Sequence, residues 1–573
     1  MLARLWSRQV EERRRQPAAW SFIAEAIRTY TVAQGEALGT TLRVSPLRLA
    51  LTYPLDQRAL DLARSLGQAA TRLSLEEACY QLSATYTALL PTALRSSWGA
   101  YYTPSALTSR LLDLAAEAGT DWRTARVLDP ACGGGAFLLP VALRVRAALP
   151  GTAPSILIRH LGTHLRGFDI DPFAAWLTQA WLEIAFAKEL RAARTEFPAV
   201  VTVCDSLDQM PEGDGYDLVV GNPPYGRVTL TPAQRQVYRR GLYGHANLYG
   251  VFTDLALRWT RPAGVVAYVT PTSFLAGEYF KALRGLLAAE APPLAIDFID
   301  TRKGVFEDVQ QEAALTTYRR RGEVDMVEVH FLSVTAPSTA QVTQAGRFEL
   351  PATRSDPWIV PREPQAQTLV DRLAGMPTRL VDWGYRVSTG PLVWNRYKDQ
   401  LSPTPGAGAL PLIWAEAVTA DGRFLFRADK RNHEPYFRPR PGDEWLQVSA
   451  SCVLLQRTTS KEQPRRLIAA ELPAEFVRQH RSVVVENHLN MMRPLVDKPL
   501  VSPAALAAVL NSAIVDRAFR CISGSVAVSA FELEALPLPS VKEMRRIETL
   551  ARQAAPATRI DVELRRIYLG TAE

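Results

Sequence analysis

The sequence predicts an α/β protein with a mostly parallel sheet, an N-terminal helical region and a C-terminal mixed α+β domain. In residues 96–345, short Val/Leu/Ile runs alternate with longer amphipathic stretches, which is typical of strands joined by crossover helices. Residues 1–95 instead carry apolar residues at helical spacing. In residues 346–573, Pro and Arg cluster, and Trp and Tyr recur among basic residues. A chain of 573 residues is long enough for two to four domains.

The overall composition is that of a globular enzyme with a basic balance. Hydrophobic residues make up 47% of the chain and charged residues 22%, which argues against a disordered or fibrous protein. The formal net charge of +8 makes nucleic acid the leading class of partner, and a basic surface without an assigned partner is the alternative. No apolar run approaches membrane-spanning length, so we expect neither export nor a membrane anchor.

The cysteine and histidine patterns give no indication of a metal site. Five cysteines lie far apart with no CxxC pair, so neither a zinc site nor a disulfide framework is predicted. The seven histidines show no ligand spacing. We therefore expect a protein of the reducing cytoplasm and no metal.

The helical region is predicted from two segments, SFIAEAIRTYTVA at 21–33 and LSLEEACYQLSATYTALLP at 73–91. In both segments the apolar residues recur at helical spacing. Neither segment carries a catalytic constellation, so the sequence assigns this region no role.

A glycine-rich loop follows the first strand of the predicted sheet. The strand ends at Asp129, three consecutive glycines form Gly133–Gly135, and a helical pattern restarts at Phe137. Glycines let the backbone pass very close to a ligand, and the start of a helix supplies free amide donors. A tight turn without a ligand is the alternative for this loop taken alone.

Two further strands also end in acids. The strand at 165–169 ends at Asp169 and is followed by Asp171, where a carboxylate is suited to hold a ribose diol. Its distance from the glycine loop exceeds the usual separation of about twenty residues, which predicts an extra helical turn or an insertion around 151–164. The strand at 200–205 ends at Asp205. Any one of these acids could merely cap a helix, but together they favour a ligand site at the sheet edge.

The fourth strand end is YDLVVGNPPYG, residues 216–226. Two prolines can continue neither a sheet ladder nor a helix, so the chain leaves the sheet stiffly extended. This leaves the side chain of Asn222 and the carbonyl of Pro223 projecting from the carboxyl edge. A rigid turn is the alternative interpretation of the motif.

The blocks VLDPACGGGAFL, GFDIDP, VCDSL and VVGNPPYG resemble those of the S-adenosylmethionine-dependent N6-adenine DNA methyltransferases. The upstream block GAYYTP, residues 99–104, resembles the additional cofactor motif of that family. Its position before the glycine loop is similar to the gamma class, to which the TaqI-like enzymes of restriction-modification systems belong. The resemblance implies a Rossmann-like methyltransferase sheet followed by a target-recognition domain.

For the cofactor, the resemblance implies S-adenosylmethionine, bound along this sheet edge. It places Thr103 near the methionine end, Asp169 at the ribose hydroxyls and Asp205 at the adenine amine. Ser206 departs from the family pattern, in which an aromatic residue is frequent. A metal is not required, because the methyl group arrives already activated on sulfonium. The implied cofactor-binding residues are Tyr102, Thr103, Asp129, Ala131, Gly133, Gly135, Asp169, Ile170, Asp205, Ser206 and Asn222.

For catalysis, the resemblance implies a target adenine flipped out of duplex DNA. The amide oxygen of Asn222 and the carbonyl of Pro223 would each accept one hydrogen of the adenine amine, and Pro223 and Pro224 would lock both acceptors in advance. The ring of Tyr225 would stack on the base. Phe280, an aromatic residue shortly before a Leu-Arg pair, is implied as the second stacking face, with core packing as its alternative.

Residues 346–573 are the predicted target-recognition domain, and double-stranded DNA is the predicted partner. The segments WNRYK (394–398), QRTTSK (456–461) and ENHLN (486–490) combine cations, amides and aromatic rings that can contact phosphates or bases. The segment 511–539 resembles the closing part of related recognition domains. The resemblance also makes a cognate restriction endonuclease or another defence-system subunit a candidate partner.

Two other functions are open at this point. Methyltransferases with an NPPY motif also act on a protein glutamine amide or on a guanine amine in RNA, and they present a similar planar amine to the same acceptors. The large segment 346–573 favours DNA over these substrates. A non-catalytic DNA-binding subunit with a relic cofactor site is the second alternative, and the intact motif argues against it.

Overall fold

The computed structural model describes residues 2–37, 39, 41–99, 102–211, 213–299, 312–336, 339–458, 465–523 and 527–570. The chain divides into two compact units. Unit 1 comprises residues 1–272 and 282–344, and unit 2 comprises residues 273–281 and 345–573. Residues 1–95 therefore share a unit with the predicted catalytic segment.

The helices of unit 1 precede, follow and connect its strands. They are α1 Leu2–Gln9, α2 Arg15–Ala37, α3 Gln57–Ala70, α4 Leu75–Leu89, α5 Thr92–Trp98, α6 Ser105–Glu117, α7 Leu138–Ala148, α8 Pro154–His164, α9 Pro172–Ala185, α10 Ala187–Ala193, α11 Pro232–Val237, α12 Leu248–Trp259 and α13 Lys281–Glu290, which begins at the unit boundary.

The strands that begin in unit 1 form a nine-stranded sheet and a small two-stranded ribbon. They are β1 Val127–Asp129, β2 Leu165–Asp169, β3 Val201–Val203, β4 Tyr216–Gly221, β5 Arg227–Val228, β6 Ala246–Asn247, β7 Thr260–Pro271, β8 Pro293–Ile299, β9 Ala313–Arg319, β10 Val327–Ala336 and β11 Thr339–Phe348. The sheet order is β11-β10-β8-β9-β7-β4-β1-β2-β3, and β5 pairs with β6.

The strands at the centre of the large sheet run parallel, and the chain reverses its direction of winding there. Strand β1 pairs in parallel with β2 on one side and β4 on the other. Strand β9 is antiparallel to both β7 and β8. The α/β fold with a mostly parallel sheet is thus confirmed. The carboxyl ends of β1 and β4 meet at the switch point, where open sheets of this kind bind ligands.

The predicted insertion between the first two strands is confirmed as a helix. Helix α8 begins at Pro154, whose fixed φ and missing amide hydrogen suit the first helical position. It buries Leu157, Ile158 and Leu161 against the core of the sheet. The longer separation between the glycine loop and Asp169 is therefore taken up by one added helix.

The N-terminal helices form a second core on the same unit. Phe22, Ile23 and Ala26 of α2 are fully buried and belong to a cluster that includes Phe173 and Trp181 of α9. The ring of Tyr30 lies edge-on to Trp181 at 5.3 Å between centroids. The predicted helical region therefore packs on α9, which directly follows the second strand of the sheet.

Unit 2 combines two small sheets with helices. Its helices are α14 Gln367–Ala374, α15 Ala474–His480, α16 Pro503–Leu510, α17 Ala513–Ile522, α18 Ala530–Glu534, α19 Val541–Arg552 and α20 Ala557–Leu569. Its strands are β12 Tyr385–Thr389, β13 Leu401–Ser402, β14 Leu410–Ile413, β15 Tyr436–Phe437, β16 Gln447–Val448, β17 Cys452–Gln456, β18 Ala469–Leu472, β19 Val483–Val485 and β20 Leu489–Pro494. The sheet orders are β12-β20-β17-β18 and β13-β15-β14-β19-β16.

No helix in the described part of the chain is long and apolar enough to cross a membrane. Among the same residues, no group of three His, Cys, Asp or Glu side chains is arranged to hold a metal ion.

Candidate active site

A cavity of about 480 Å³ lies in unit 1 at the carboxyl edge of the sheet. Its volume falls within the range of small-molecule and cofactor sites, about 300–1,000 Å³. Most of the residues predicted to bind a cofactor line it. They are Tyr102, Thr103, Ala131, Gly133, Asp169, Ile170, Asp205, Ser206 and Asn222, together with Pro224 of the predicted catalytic set.

The side chain of Asn222 is fixed by hydrogen bonds on both ends of its amide. Its Nδ2 donates to Thr103 Oγ1 at 3.1 Å, and its Oδ1 accepts from the hydroxyl of Tyr225 at 2.6 Å. The same hydroxyl lies 3.1 Å from the carbonyl oxygen of Val269 on β7. The amide orientation is therefore set before any ligand arrives.

The upstream block lies directly against the NPPY motif. Gly99 has φ of +59°, and a Cβ added there would lie 2.6 Å from the backbone nitrogen of Tyr225 and 2.8 Å from Cβ of Pro224. Only glycine permits this approach. Ala100 and Tyr101 of the same block lie outside the described residues. The two predicted motifs, far apart in sequence, thus form one wall of the site.

The glycine loop is enclosed by side chains from two directions. Gly133 has φ of +53°, and its carbonyl accepts a hydrogen bond from Thr178 Oγ1 at 2.7 Å. A Cβ on Gly134 would lie 2.4 Å from Ser83 Oγ and 2.8 Å from the hydroxyl of Tyr102. Gly135, which does not line the cavity, also has positive φ, +93°. The loop needs glycine because its neighbours approach the backbone itself.

Asp129 lies at the end of β1, buried behind the cavity wall. Its carboxyl is 1% exposed, Oδ1 accepts from the backbone N–H of Ala131 at 3.0 Å, and Oδ2 is a buried oxygen without a hydrogen-bond partner among the described residues. Gly221 makes room for it, since a Cβ there would lie 2.8 Å from Oδ1. Burial raises the pKa of this carboxyl to about 8, and the charge of Asp169 adds to the shift.

Asp169 and Asp171 have different environments at the end of β2. Both acids line the cavity, and the oxygens of Asp169 accept from the backbone N–H groups of Gly133 and Asp171, each at 2.8 Å. Asp171 caps α9 by accepting from Phe173 N–H at 3.0 Å, and it accepts from the hydroxyl of Tyr86 at 2.6 Å. Burial raises the pKa of Asp169 to about 6. Of the two acids, Asp171 is the one committed to local structure.

The third acidic strand end has an unusual neighbour. Asp205 follows β3, and its Oδ1 accepts from Leu207 N–H at 2.9 Å. Ser206 is buried, and its hydroxyl donates to the carbonyl of Pro130 at 2.5 Å. The serine that departs from the family pattern therefore ties the end of β3 to the loop after β1.

Sequence reasoning missed the contribution of the N-terminal helices to this cavity. Tyr86, Thr87 and Leu90, at the end of α4, line it, as does Trp98 of α5. The one available signal was the presence of polar residues on the apolar face of α4, where Ser83 and Thr87 are buried. Polar groups are rarely buried without partners, so such a face indicates contact with backbone or a ligand.

The remaining predicted catalytic residues lie outside the cavity lining. Pro223 is buried, and Tyr225 is half-buried beside Asn222. Phe280 ends a short 3₁₀ helix at Glu278–Phe280, in the segment 273–281 that belongs to unit 2. Its predicted stacking role stays a prediction.

In unit 2, the structure distinguishes among the three segments predicted to contact DNA. Asn395, Arg396 and Lys398 are exposed, and the Lys398 ammonium lies 5.5 Å from the ring centroid of Trp394. In contrast, Asn490 is fully buried and donates to the carbonyl of Val528. The first segment is thus available to a ligand, whereas Asn490 supports the fold.

In the segment 456–461, Gln456 and Arg457 are half-buried, whereas Thr458 is exposed. Gln456 Nε2 donates to the carbonyl of Val418 at 2.7 Å. Thr459, Ser460 and Lys461 lie outside the described residues, as do residues 524–526 of the predicted closing segment. In the third segment, 486–490, Glu486 is fully buried, and its Oε1 lies 2.8 Å from Nδ1 of His488.

In sequence, the chain is similar to methyltransferases of restriction-modification systems. Residues 163–306 match the family described as Eco57I restriction-modification methylase. The Type II methyltransferase M.BsuBI of Bacillus subtilis is 27% identical over 56% of this chain and 64% of its own length. M.PstI of Providencia stuartii is 26% identical over 58% of this chain and 66% of its own length. M.TthHB8I of Thermus thermophilus is 33% identical over 35% of this chain and 41% of its own length. The matches cover less than two thirds of each of these relatives.

Solved structures show the same fold across most of the chain. The Type IIL restriction-modification enzyme MmeI in complex with DNA covers 90% of this chain and 83% of its own, with a TM-score of 0.51 and 14% identity. The ATP-dependent Type ISP restriction-modification enzyme LlaBIII bound to DNA covers 94% of this chain and 45% of its own, with a TM-score of 0.51 and 10% identity. The chain therefore has the fold of these restriction-modification enzymes, and its segment 163–306 is similar in sequence to the Eco57I restriction-modification methylases.

Proposed function

We propose that this chain is a gamma-class DNA methyltransferase that transfers a methyl group from S-adenosylmethionine to N6 of an adenine flipped out of double-stranded DNA. The observation that carries the proposal is the fixed amide of Asn222 at a cavity that Asp169 and Asp205 also line. The similarity to Type II methyltransferases supports the same reaction class.

The chemistry follows from the difficulty of the reaction. The exocyclic amine of adenine is a poor nucleophile, because its lone pair is delocalised into the ring. Two fixed acceptors, Asn222 Oδ1 and the carbonyl of Pro223, would each take one amine hydrogen and favour a more tetrahedral nitrogen. Thr103 and Tyr225 hold the first acceptor in place, so little reorganisation is needed at the moment of reaction.

The residues of the cavity fit S-adenosylmethionine. Behind the cavity wall, the buried Oδ2 of Asp129 has no hydrogen-bond partner among the described residues and suits a cationic group nearby. Asp169 and Asp205 supply carboxylates at two points of the cavity lining itself. When bound, the cofactor supplies an electrophilic methyl group on sulfonium. The side chains of this chain would then bind and orient the cofactor and exclude water, a task to which the buried lining residues such as Thr103, Phe137 and Phe252 are suited.

The proposal extends to the partners. Unit 2 would read the DNA sequence, with the exposed Arg396 and Lys398 among its contacts to phosphates or bases. The net charge of +8 supports binding to DNA in the cytoplasm or nucleoid. The proposed biological partner is a cognate restriction endonuclease or another subunit of the same defence system.

We expect the affinity for S-adenosylmethionine to rise with pH. In the free protein the carboxyl of Asp129 holds a proton below about pH 8, because burial raises its pKa to about 8. A bound cation favours the ionised carboxylate, so binding releases that proton and affinity increases by up to about tenfold per pH unit until about pH 8. Titration calorimetry at several pH values, in buffers of different ionisation enthalpy, measures both the affinity and the number of protons released on binding.

The matched control for this prediction is Asp129→Asn, which keeps the shape of the side chain and cannot titrate. Its affinity loses the pH dependence that Asp129 contributes. It keeps that of Asp169, whose pKa burial raises to about 6, and that of the ligand's own amino group, whose usual pKa is about 8. Identical pH profiles for the two proteins would show that Asp129 does not face the cofactor's charge.

A methyl-transfer assay tests the proposed function. Purified protein is incubated with S-adenosylmethionine carrying a tritiated methyl group and with bacterial genomic DNA amplified in vitro, which is unmethylated and contains every short site. Digestion to nucleosides and mass spectrometry should find N6-methyldeoxyadenosine. Label on cytosine would contradict the adenine assignment, and label only in added protein or RNA would favour the alternative substrates.

A further inference from the structure

Helix α4 lies outside the family match at 163–306, yet it contacts the glycine loop of the candidate cofactor site. Cys79 Sγ and Ser83 Oγ both lie 3.3 Å from the carbonyl oxygen of Gly134, and both are donors. All three residues lie in the buried interior of unit 1. The helix therefore fixes the loop by hydrogen bonds to its backbone as well as by packing.

A second contact of α4 reaches the end of β2. Tyr86 is 1% exposed, and its hydroxyl donates to Oδ2 of Asp171 at 2.6 Å. The same hydroxyl accepts from the indole N–H of Trp20 on α2 at 3.2 Å. Its ring packs against Phe173 with 4.8 Å between centroids. A residue needed only for packing would not require the hydroxyl, which here has a donor on one side and a carboxylate on the other.

The connection continues from Asp171 to Asp169. The backbone N–H of Asp171 donates to Asp169 Oδ1, and the backbone N–H of Gly133 donates to Asp169 Oδ2, each at 2.8 Å. Asp171 is 4% exposed. Because its backbone holds the neighbouring carboxylate, any shift of Asp171 changes the direction of Asp169. The hydroxyl of Tyr86 thus acts on a cavity-lining acid through one intervening residue.

Resting on the proposed function, we propose that helix α4 is part of the cofactor site, and that Tyr86 is a positioning residue which, through Asp171, fixes the carboxylate of Asp169 for the ribose hydroxyls of S-adenosylmethionine. The N-terminal helical region then serves the cofactor site of this chain, and Tyr86, Thr87 and Leu90 form one wall of the cavity.

The first test compares Tyr86→Phe with Tyr30→Phe. Both tyrosines are buried in the same N-terminal core, but Tyr30 lies against Trp181 and is not part of the cavity lining. Calorimetry with S-adenosylmethionine and S-adenosylhomocysteine should show a loss of at least about fivefold for Tyr86→Phe, since a hydrogen bond to a buried carboxylate is removed. Tyr30→Phe should stay within about twofold of the wild type. Equal affinities for all three proteins, or equal losses in both variants, would overturn the proposal.

The second test asks whether Tyr86 acts through Asp169. In a double-mutant cycle with Asp169→Asn, Tyr86→Phe should cost much less than it does alone, because the carboxylate that it positions is gone. In the methyl-transfer assay, Tyr86→Phe should raise KM for the cofactor and leave kcat at saturating cofactor within about twofold. Additive losses, or a fall in kcat without a change in KM, would indicate a merely structural role.

A third measurement needs no variant and remains decisive if Tyr86→Phe does not fold. Hydrogen exchange of the wild-type protein should slow in α4 when S-adenosylmethionine is added, and stay unchanged in α3, whose residues do not line the cavity. Unchanged exchange in α4, in a protein that calorimetry shows to be saturated with cofactor, would overturn this inference and leave the proposed function standing. A wild-type protein that does not bind S-adenosylmethionine would instead contradict the proposed function itself.

Discussion

Asn222→Ala should lower methyl transfer by at least about a hundredfold, which is the usual cost of removing one preorganised hydrogen-bonding group that acts on the transition state. The variant removes the Oδ1 acceptor, so the target amine keeps its lone pair in the ring. Cofactor affinity should fall much less than transfer does, because Asn222 is one of several residues at the cavity and the carboxylates of Asp129, Asp169 and Asp205 stay in place. Single-turnover transfer and calorimetry, performed on the same preparation, measure the two effects separately.

Tyr225→Phe is the graded control for that experiment. It keeps the ring for stacking and removes the hydroxyl that donates to Asn222 and lies 3.1 Å from the carbonyl oxygen of Val269. Transfer should fall by about tenfold or less, since the acceptor remains but is held less rigidly. Near wild-type turnover by Asn222→Ala would contradict the proposed chemistry, whatever the effect of the control.

Gly134→Ala should abolish measurable cofactor binding at micromolar concentrations. The added Cβ would lie 2.4 Å from Ser83 Oγ, 2.9 Å from Ser83 Cβ and 2.8 Å from the Tyr102 hydroxyl. Real side chains do not approach that closely, so the glycine loop or α4 must shift. Calorimetry with S-adenosylmethionine, together with thermal unfolding, shows whether the site or the whole unit is affected.

Two further variants identify the cause. Gly285→Ala on α13 is the matched control, because its Cβ meets no atom within 4 Å and the residue is helical. It should bind cofactor normally. Adding Ser83→Gly to Gly134→Ala removes the closest contact and should restore part of the affinity, with Tyr102 still in the way. If Gly134→Ala alone binds normally, α4 does not confine the loop as described.

The central strands could be predicted because each one is marked by its sequence. Leu218–Val220 is a short apolar run buried on both faces, and prolines end it at once. The helix at 154–164 was predicted only as an insertion, from a spacing that was too long. The pairing of β9 with both β7 and β8 could not be read from the sequence, since strand order depends on long-range contacts.

The cavity edge was predictable for a related reason. Asp169, Asp205 and Asn222 each lie at the end of a parallel strand of one sheet. The carboxyl ends of parallel strands meet at the same edge of the sheet, so these three side chains lie close together. The burial of Asp129 behind Gly221, and the contact of Gly99 with the NPPY backbone, depend on which strands are neighbours. The contact of Tyr86 with the end of β2 was hidden because a tyrosine on an apolar helix face looks like a core residue. The partner of its hydroxyl, Asp171, is 85 residues away in the sequence.

The most direct measurement of the central claim is a base-resolution map of modified adenines in DNA from cells that express the protein, in a host without its own adenine methylation. We predict N6-methyladenine at one recurring sequence motif in cells with the wild-type protein, and none in cells with Asn222→Ala at equal protein level. Absence of modified adenine in the wild-type cells, or an equal map in cells that express the variant, would contradict the account.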